Sequence, residues 1–170
     1  MNIKQRHFIK QTEIKKLKED ILKQYDESFI IQIFPDKCNV EVILTEADDT
    51  LYAVNNKLKM WKSKEGYIPL LTLLLDEKMK INMKTVVVDK GAIRFVTNGA
   101  DIMRPGVTKI DPKIKKDDIV RIVDENHGRA LAIGKALYNA TEMSEHNKGK
   151  IIKNLHTIQD SVWVFEKEFK

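Results

Sequence analysis

One cysteine, Cys38, is all that the 170 residues hold. A single thiol excludes an internal disulfide and any zinc site built from several cysteines. The four histidines, His7, His127, His146 and His156, are scattered without ligand spacing, so no metal is expected. Long apolar runs are also lacking. The longest, around Ile68 to Leu75, is interrupted by Pro69 and falls far short of the roughly 20 residues that cross a bilayer. In MNIKQRHFIKQTEIKK charge returns before an apolar core of signal-peptide length can form, and the expectation is a cytoplasmic chain with no membrane partner. Neither a GxGxxG fingerprint nor a GK[ST] phosphate loop occurs, and no cofactor is expected.

What is present describes a folded protein. Apolar residues make up 42% and charged residues 32%, the balance of a globular chain that can bury a core. The length lies between one ordinary domain and two small ones. The net charge of +5 is unevenly spread: residues 1–83 carry 14 Lys/Arg against 13 Asp/Glu, and residues 84–170 carry 16 against 12. A polyanionic partner would therefore dock on the second half.

The first half reads as mixed structure. Ile14, Leu17, Ile21 and Tyr25 recur at helical spacing through TEIKKLKEDILKQY, with Thr12 as N-cap. SFIIQIF, ended by Pro35, reads as a strand or a buried helix end, and NVEVILT as a strand. Asn55-Asn56 between Leu51–Val54 and Leu58–Trp61 suits a tight hairpin. Ile68-Pro69-Leu70 opens a short apolar helix, with the proline in its first turn. The polar run Asp76 to Lys84 joins the halves.

The second half changes pattern. Val86-Val87-Val88 forms a strand, Asp89 caps a helix from Lys90 to Asn98, and Gly99 stands where a left-handed C-cap is wanted. Short strands follow at Asp101–Met103, Asp118–Val123, Arg129–Ala136, Ile151-Ile152 and Ser161–Phe165, with Asn126-His127-Gly128 as a hairpin turn. Many short strands and one small helix imply a compact barrel-like β domain.

The stretch GAIRFVTNGADIMRPGV bears most directly on function. A helix closed by Gly99 and a chain turned at Pro105-Gly106 leave exposed, sharply bent backbone. Lys90, Arg94, Arg104 and Lys109 surround it with positive charge, and Met103 and the proline ring offer apolar faces to an unstacked base. A C-cap glycine and a Pro-Gly turn also serve purely conformational ends, and the local residues leave both readings open.

VDKGAIRFVTNGADIMRPGV resembles the signature of the PUA domain, the RNA-binding module of pseudouridine synthases and archaeosine transglycosylases. GRALAIGKAL is similar to that family's central strand, with Gly134 at its characteristic glycine, and NKGKIIKNLHTIQDSVW to its closing segment. EGYIPLLTLL resembles the end of the first domain in the two-domain proteins related to malignant T-cell-amplified sequence, among them translation machinery-associated proteins and the N-terminal part of ligatin. The resemblance implies an α+β protein: a small N-terminal α+β domain over residues 1–80, then a C-terminal PUA-type β pseudobarrel with a short helix over residues 84–168. It implies an RNA surface of Lys90, Arg94, Asn98, Gly99, Ala100, Met103, Arg104, Pro105 and Gly106, joined by Gly134 and Lys135 and by the basic residues Lys148, Lys150 and Lys153.

The function expected from this resemblance is that of a non-catalytic RNA-binding protein of the translation apparatus. Its RNA would be structured, a tRNA or an rRNA, and its work would fall in initiation or ribosome recycling. The partners implied are the small ribosomal subunit or a translation-factor protein. The alternatives are a tRNA-modification enzyme or its RNA-recognition subunit, and a protein-interaction adaptor. Trp61 and Trp163 read as core residues, Cys38 as a structural thiol, and His156 with Asp160 as part of a closing turn rather than an acid–base pair.

Overall fold

Asn55 and Asn56 adopt φ angles of 49° and 64°, the mirror-turn geometry whose twist matches that of the strands it joins. That turn links β3 (Thr50–Val54) to β4 (Lys57–Ser63) at the centre of a five-stranded sheet. β1 (Ile3–Phe8), β2 (Val40–Thr45), β3, β4 and β5 (Gly66–Pro69) lie in chain order, and every neighbouring pair is antiparallel. The computed structural model describes residues 1–170. They fall into two units, residues 1–82 with 164–170, and residues 83–163.

In the first unit, α1 (Gln11–Ile21) buries Ile14, Leu17 and Ile21, and α2 (Glu27–Ile33) buries Phe29, Ile30 and Ile33. Each large apolar side chain so removed from water contributes about 1.5–3 kcal/mol. SFIIQIF is thus helical: Asp26 accepts the Phe29 N–H at 2.9 Å and so caps the first turn. The Tyr25 ring stacks on Phe29 with centroids 3.9 Å apart, and its hydroxyl donates to the Tyr67 carbonyl. The first helix begins earlier than expected. Lys10, not Thr12, is its N-cap, because Glu13 accepts the Lys10 N–H at 2.9 Å. Pro69 is the last residue of β5, and the apolar helix α3 (Leu71–Leu75) starts after it.

The second unit is a six-stranded, nearly closed, barrel-like sheet. It comprises β6 (Thr85–Val88), β7 (Ile102–Met103), β8 (Val107–Ile110), β9 (Ile119–Asp124), β10 (Ala130–Ala136) and β11 (Lys150–Thr157), ordered β7-β11-β10-β9-β6-β8. Only β6 and β9 run parallel. Helix α4 (Lys90–Thr97) lies over β10 and β11, and α5 (Ala140–Glu145) near β8. Val86, Val88, Val120, Ile122, Ala132 and Ile152 fill the core under α4.

Gly134 belongs to that core. A Cβ there would lie 2.5 Å from Ile152 Cγ2 and 2.8 Å from the Lys153 carbonyl oxygen. The Asn126–Gly128 turn is held by the Asp124 carboxylate, which accepts the N–H groups of Asn126, His127 and Arg129. The segment Ser161–Phe165 is the start of a helix, α6 (Ser161–Glu168), where a strand was expected. Its β-branched and aromatic residues favour extended chain, but Asp160 accepts the Trp163 N–H at 2.8 Å and caps the turn.

Candidate nucleic-acid interface

The site begins at Asp89. Its carboxylate accepts the Ala92 N–H at 2.9 Å, and its own N–H donates to the Gly106 carbonyl at 2.9 Å. The cap that starts α4 is therefore tied to the 3-10 turn Arg104–Gly106. Helical spacing turns Ala92, Ile93 and Val96 toward the core. Phe95 falls outside that stripe and is 58% exposed.

Gly99 closes the helix with φ 89°. The N–H groups of Gly99 and Ala100 return to the Val96 and Phe95 carbonyls at 3.0 Å each. Asn154 on β11 braces this bend from behind. Its amide donates to the Val96 and Ala100 carbonyls at 3.0 Å each, and its N–H donates to Asp101 at 2.8 Å. The other Asp101 oxygen pairs with Lys150 at 3.2 Å.

Between α4 and the chain running from Ala100 through Gly106 lies a groove of about 410 Å³. Phe95 and Ala92 form one wall, Met103 and Pro105 the other. Met103 is 50% exposed. At Gly106 a Cβ would come within 3.0 Å of the Ala92 Cβ, so glycine lets the turn approach the helix. The Arg94 guanidinium stands 5.4 Å from the Phe95 ring centroid, which extends the aromatic face with a cationic plane. Phe95 is the residue that sequence reasoning missed. Its signal was present: it is the one large apolar residue of KGAIRFVT lying off the stripe of Ala92, Ile93 and Val96.

The expected site residues separate into groups. Lys90, Arg94, Asn98, Gly99, Ala100, Met103, Pro105 and Gly106 lie on or around the groove, all but Gly106 exposed. Lys148 is exposed just before β11, and Lys150 is opposite Met103 in the β7–β11 pair. Arg104 is half-buried and turned inward: Nε donates to the Met143 carbonyl at 2.9 Å and a terminal nitrogen to the Val107 carbonyl at 3.0 Å. No acidic side chain holds it there; the acceptors are main-chain carbonyls.

Gly134 is buried, and close packing against β11 accounts for its lack of a side chain. Lys135 and Lys153 face each other across β10 and β11. Successive strand residues point to opposite faces, so this pair lies on the face away from Asn154 and the groove. Lys135 is 3.6 Å from Asp117.

The other polar residues singled out in the sequence have partners within the fold. His156 Nδ1 is 2.6 Å from Asp160, which also accepts the Thr157 N–H. Trp61 donates to Asp49 at 3.1 Å, and Cys38 is buried. No group of three or more His, Cys, Asp or Glu is disposed to hold a metal ion, and no helix is long and apolar enough to cross a membrane.

A barrel-like sheet crossed by one short helix, with a glycine-closed bend leading into its edge strand, defines a PUA-type domain. Comparison with known proteins bears this out: residues 84–158 match the PUA domain and residues 1–76 the Pre-PUA-like domain. An uncharacterized protein of Methanocaldococcus jannaschii is 40% identical, covering 98% of this chain and 99% of that one. Translation machinery-associated protein 20 of Saccharomyces cerevisiae is 36% identical, covering 89% and 87%. Malignant T-cell-amplified sequence 1 of Rattus norvegicus is 34% identical, covering 91% and 87%. Among solved structures, a hypothetical protein from the archaeon Pyrococcus horikoshii superposes with a TM-score of 0.81 at 30% identity, covering 95% of this chain and 99% of that one. The chain belongs to the family of malignant T-cell-amplified sequence and translation machinery-associated protein 20.

Proposed function

We propose that this protein is a non-catalytic RNA-binding protein of the translation apparatus, and that the groove beside α4 receives an unstacked base of a structured RNA, a tRNA or an rRNA segment. The observation that carries the reading is the exposed Phe95 ring with the Arg94 guanidinium beside it and Met103 across the groove. The exposed ring and Met103 across the groove form an apolar surface that a planar ligand can cover. A base does so while its phosphates meet Lys90, Arg94 and Lys148. Asn154 holds the bend in place before any ligand arrives, so little ordering entropy remains to be lost on binding.

The absence of catalysis rests on the groove's own carboxylates. Asp89 caps α4, and Asp101 is divided between Asn154 and Lys150. Neither is poised as a base beside a nucleophile. The translation role rests on the family, whose relatives include a protein named for its association with the translation machinery. Within the ribosomal cycle, initiation or recycling fits a protein that grips RNA and modifies nothing. The first domain would present the bound RNA to the small ribosomal subunit or to a protein factor, and the PUA-type domain would hold it.

The test is RNA affinity of Phe95→Ala by fluorescence anisotropy, with labelled tRNA and small-subunit rRNA fragments. Base–aromatic stacking contributes about 1–3 kcal/mol per base, so affinity should fall roughly 5- to 150-fold while thermal unfolding stays unchanged. Log affinity should also decline linearly with log salt. Equal affinity in the folded variant would refute the assignment.

A further inference from the structure

A second cavity, of about 440 Å³, lies wholly within the first unit. Its walls come from three elements: β4 with Lys57 and Lys59, α3 and its end with Thr72 and Asp76, and the C-terminal residues Glu166 and Phe169. Lys57 and Lys59 are two apart on one strand. Both line the cavity, as does the buried Leu58 between them.

Lys59 is unusual for a lysine. It is half-buried, yet its ammonium enters no ion pair. A lysine's aliphatic stem can lie along apolar surface while its ammonium reaches toward open space. Of the nearby carboxylates, one Asp76 oxygen accepts the Lys78 N–H at 3.0 Å and one Glu166 oxygen accepts the Thr72 hydroxyl. Burial, reinforced by the Lys57 charge, holds the Lys59 ammonium below the usual lysine range, and Asp76 only partly offsets this. The half-buried ammonium makes no ion pair, Asp76 gives it only a partial counter-charge, and it borders the cavity.

We infer that this cavity binds a terminal phosphate, the phosphomonoester of a ligand about the size of a mononucleotide, with Lys59 and Lys57 as its cations. A phosphoryl group carries close to two negative charges and three acceptor oxygens, so one group can be shared between two ammoniums, whereas a single carboxylate would neutralise one. Phe169 gives an apolar surface for a base, and Asp76 gives an acceptor for sugar hydroxyls. Such a phosphate has two sources, a free mononucleotide and the 5′ end of an RNA, and both present the same chemistry.

Titration calorimetry of the full chain decides the matter, using adenosine 5′-monophosphate, adenosine, inorganic phosphate, and one short oligoribonucleotide with and without a 5′-phosphate. Adenosine monophosphate should bind at least tenfold more tightly than adenosine. Lys59→Gln should weaken it tenfold or more, Lys57→Gln several-fold, and Lys59→Arg little. Tighter binding of the 5′-phosphorylated oligoribonucleotide, lost in Lys59→Gln, would assign the site to an RNA end. Binding of the mononucleotide alone would assign it to a free nucleotide. Circular dichroism checks folding, and the exposed Lys57 carries the test should Lys59→Gln unfold. No heat with phosphate or adenosine monophosphate at millimolar concentration, or unchanged affinity in the folded variants, would overturn the inference.

Discussion

Arg104 invites the wrong experiment. From the sequence it is the arginine of the MRPG step, and alanine there should release a phosphate. The geometry gives it a different role, because Nε reaches the Met143 carbonyl at the end of α5 and a terminal nitrogen reaches the Val107 carbonyl at the start of β8. Hydrogen bonds from an ionised donor contribute about 1.5–3 kcal/mol each. The side chain is half-exposed, so the two together should be worth about 3 kcal/mol. Arg104→Ala should lower the unfolding free energy by that much, read as a lower urea midpoint at unchanged slope. Arg104→Lys, with one compact ammonium in place of a fork, should recover about half. Binding of tRNA by the folded Arg104→Ala protein, measured well below the unfolding range, should change by less than about threefold, since no phosphate contact is lost. An unchanged midpoint with tenfold or greater loss of RNA affinity would refute this reasoning and return Arg104 to the RNA surface.

Two further outcomes follow from the packing and the charges. Gly134→Ala should destabilise the protein by about 1–3 kcal/mol or more, because its methyl group would press on Ile152 and on the Lys153 carbonyl; chemical denaturation reads this directly. Glu41 accepts two hydrogen bonds from Arg6, at 2.6 and 2.8 Å, and that pairing holds its carboxyl below the usual glutamate range. A carboxyl depressed in the folded state stabilises above its unfolded pKa of about 4.3 and loses that contribution as pH falls through the folded value. Glu41→Gln should therefore flatten the stability profile between about pH 5 and 2, measured by urea titrations at stepped pH, and an acid limb identical to the parent's would contradict the pairing.

How much was legible depended on whether a signal was local. Asn55-Asn56 announced its hairpin because positive φ is a property of the residues themselves. Asp89 and Gly99 announced α4 through capping chemistry alone. β1 carried no such signal. IKQRHF is exposed at all six positions, so it shows none of the in–out alternation that marks a strand, and it forms by pairing with β2, more than thirty residues away in the chain. α6 went the other way: Val162-Trp163-Val164-Phe165 has strand propensity, and the Asp160 cap overrides it. At the candidate site, charge and glycine pattern marked the bend at Gly99 but could not tell an arginine facing solvent from one folded onto carbonyls. Nor could they separate a glycine needed for a ligand from Gly134, which is needed for a neighbouring strand.

The central claim is that RNA lies in the groove between α4 and the chain from Ala100 to Gly106. Ultraviolet crosslinking of the full protein to bound tRNA, followed by mass spectrometry of the nucleotide-bearing peptides, tests it most directly. Adducts on Phe95 or Met103 are the expected result. Adducts confined to the opposite face, around Lys135 and Lys153, with none between residues 89 and 106, would contradict it.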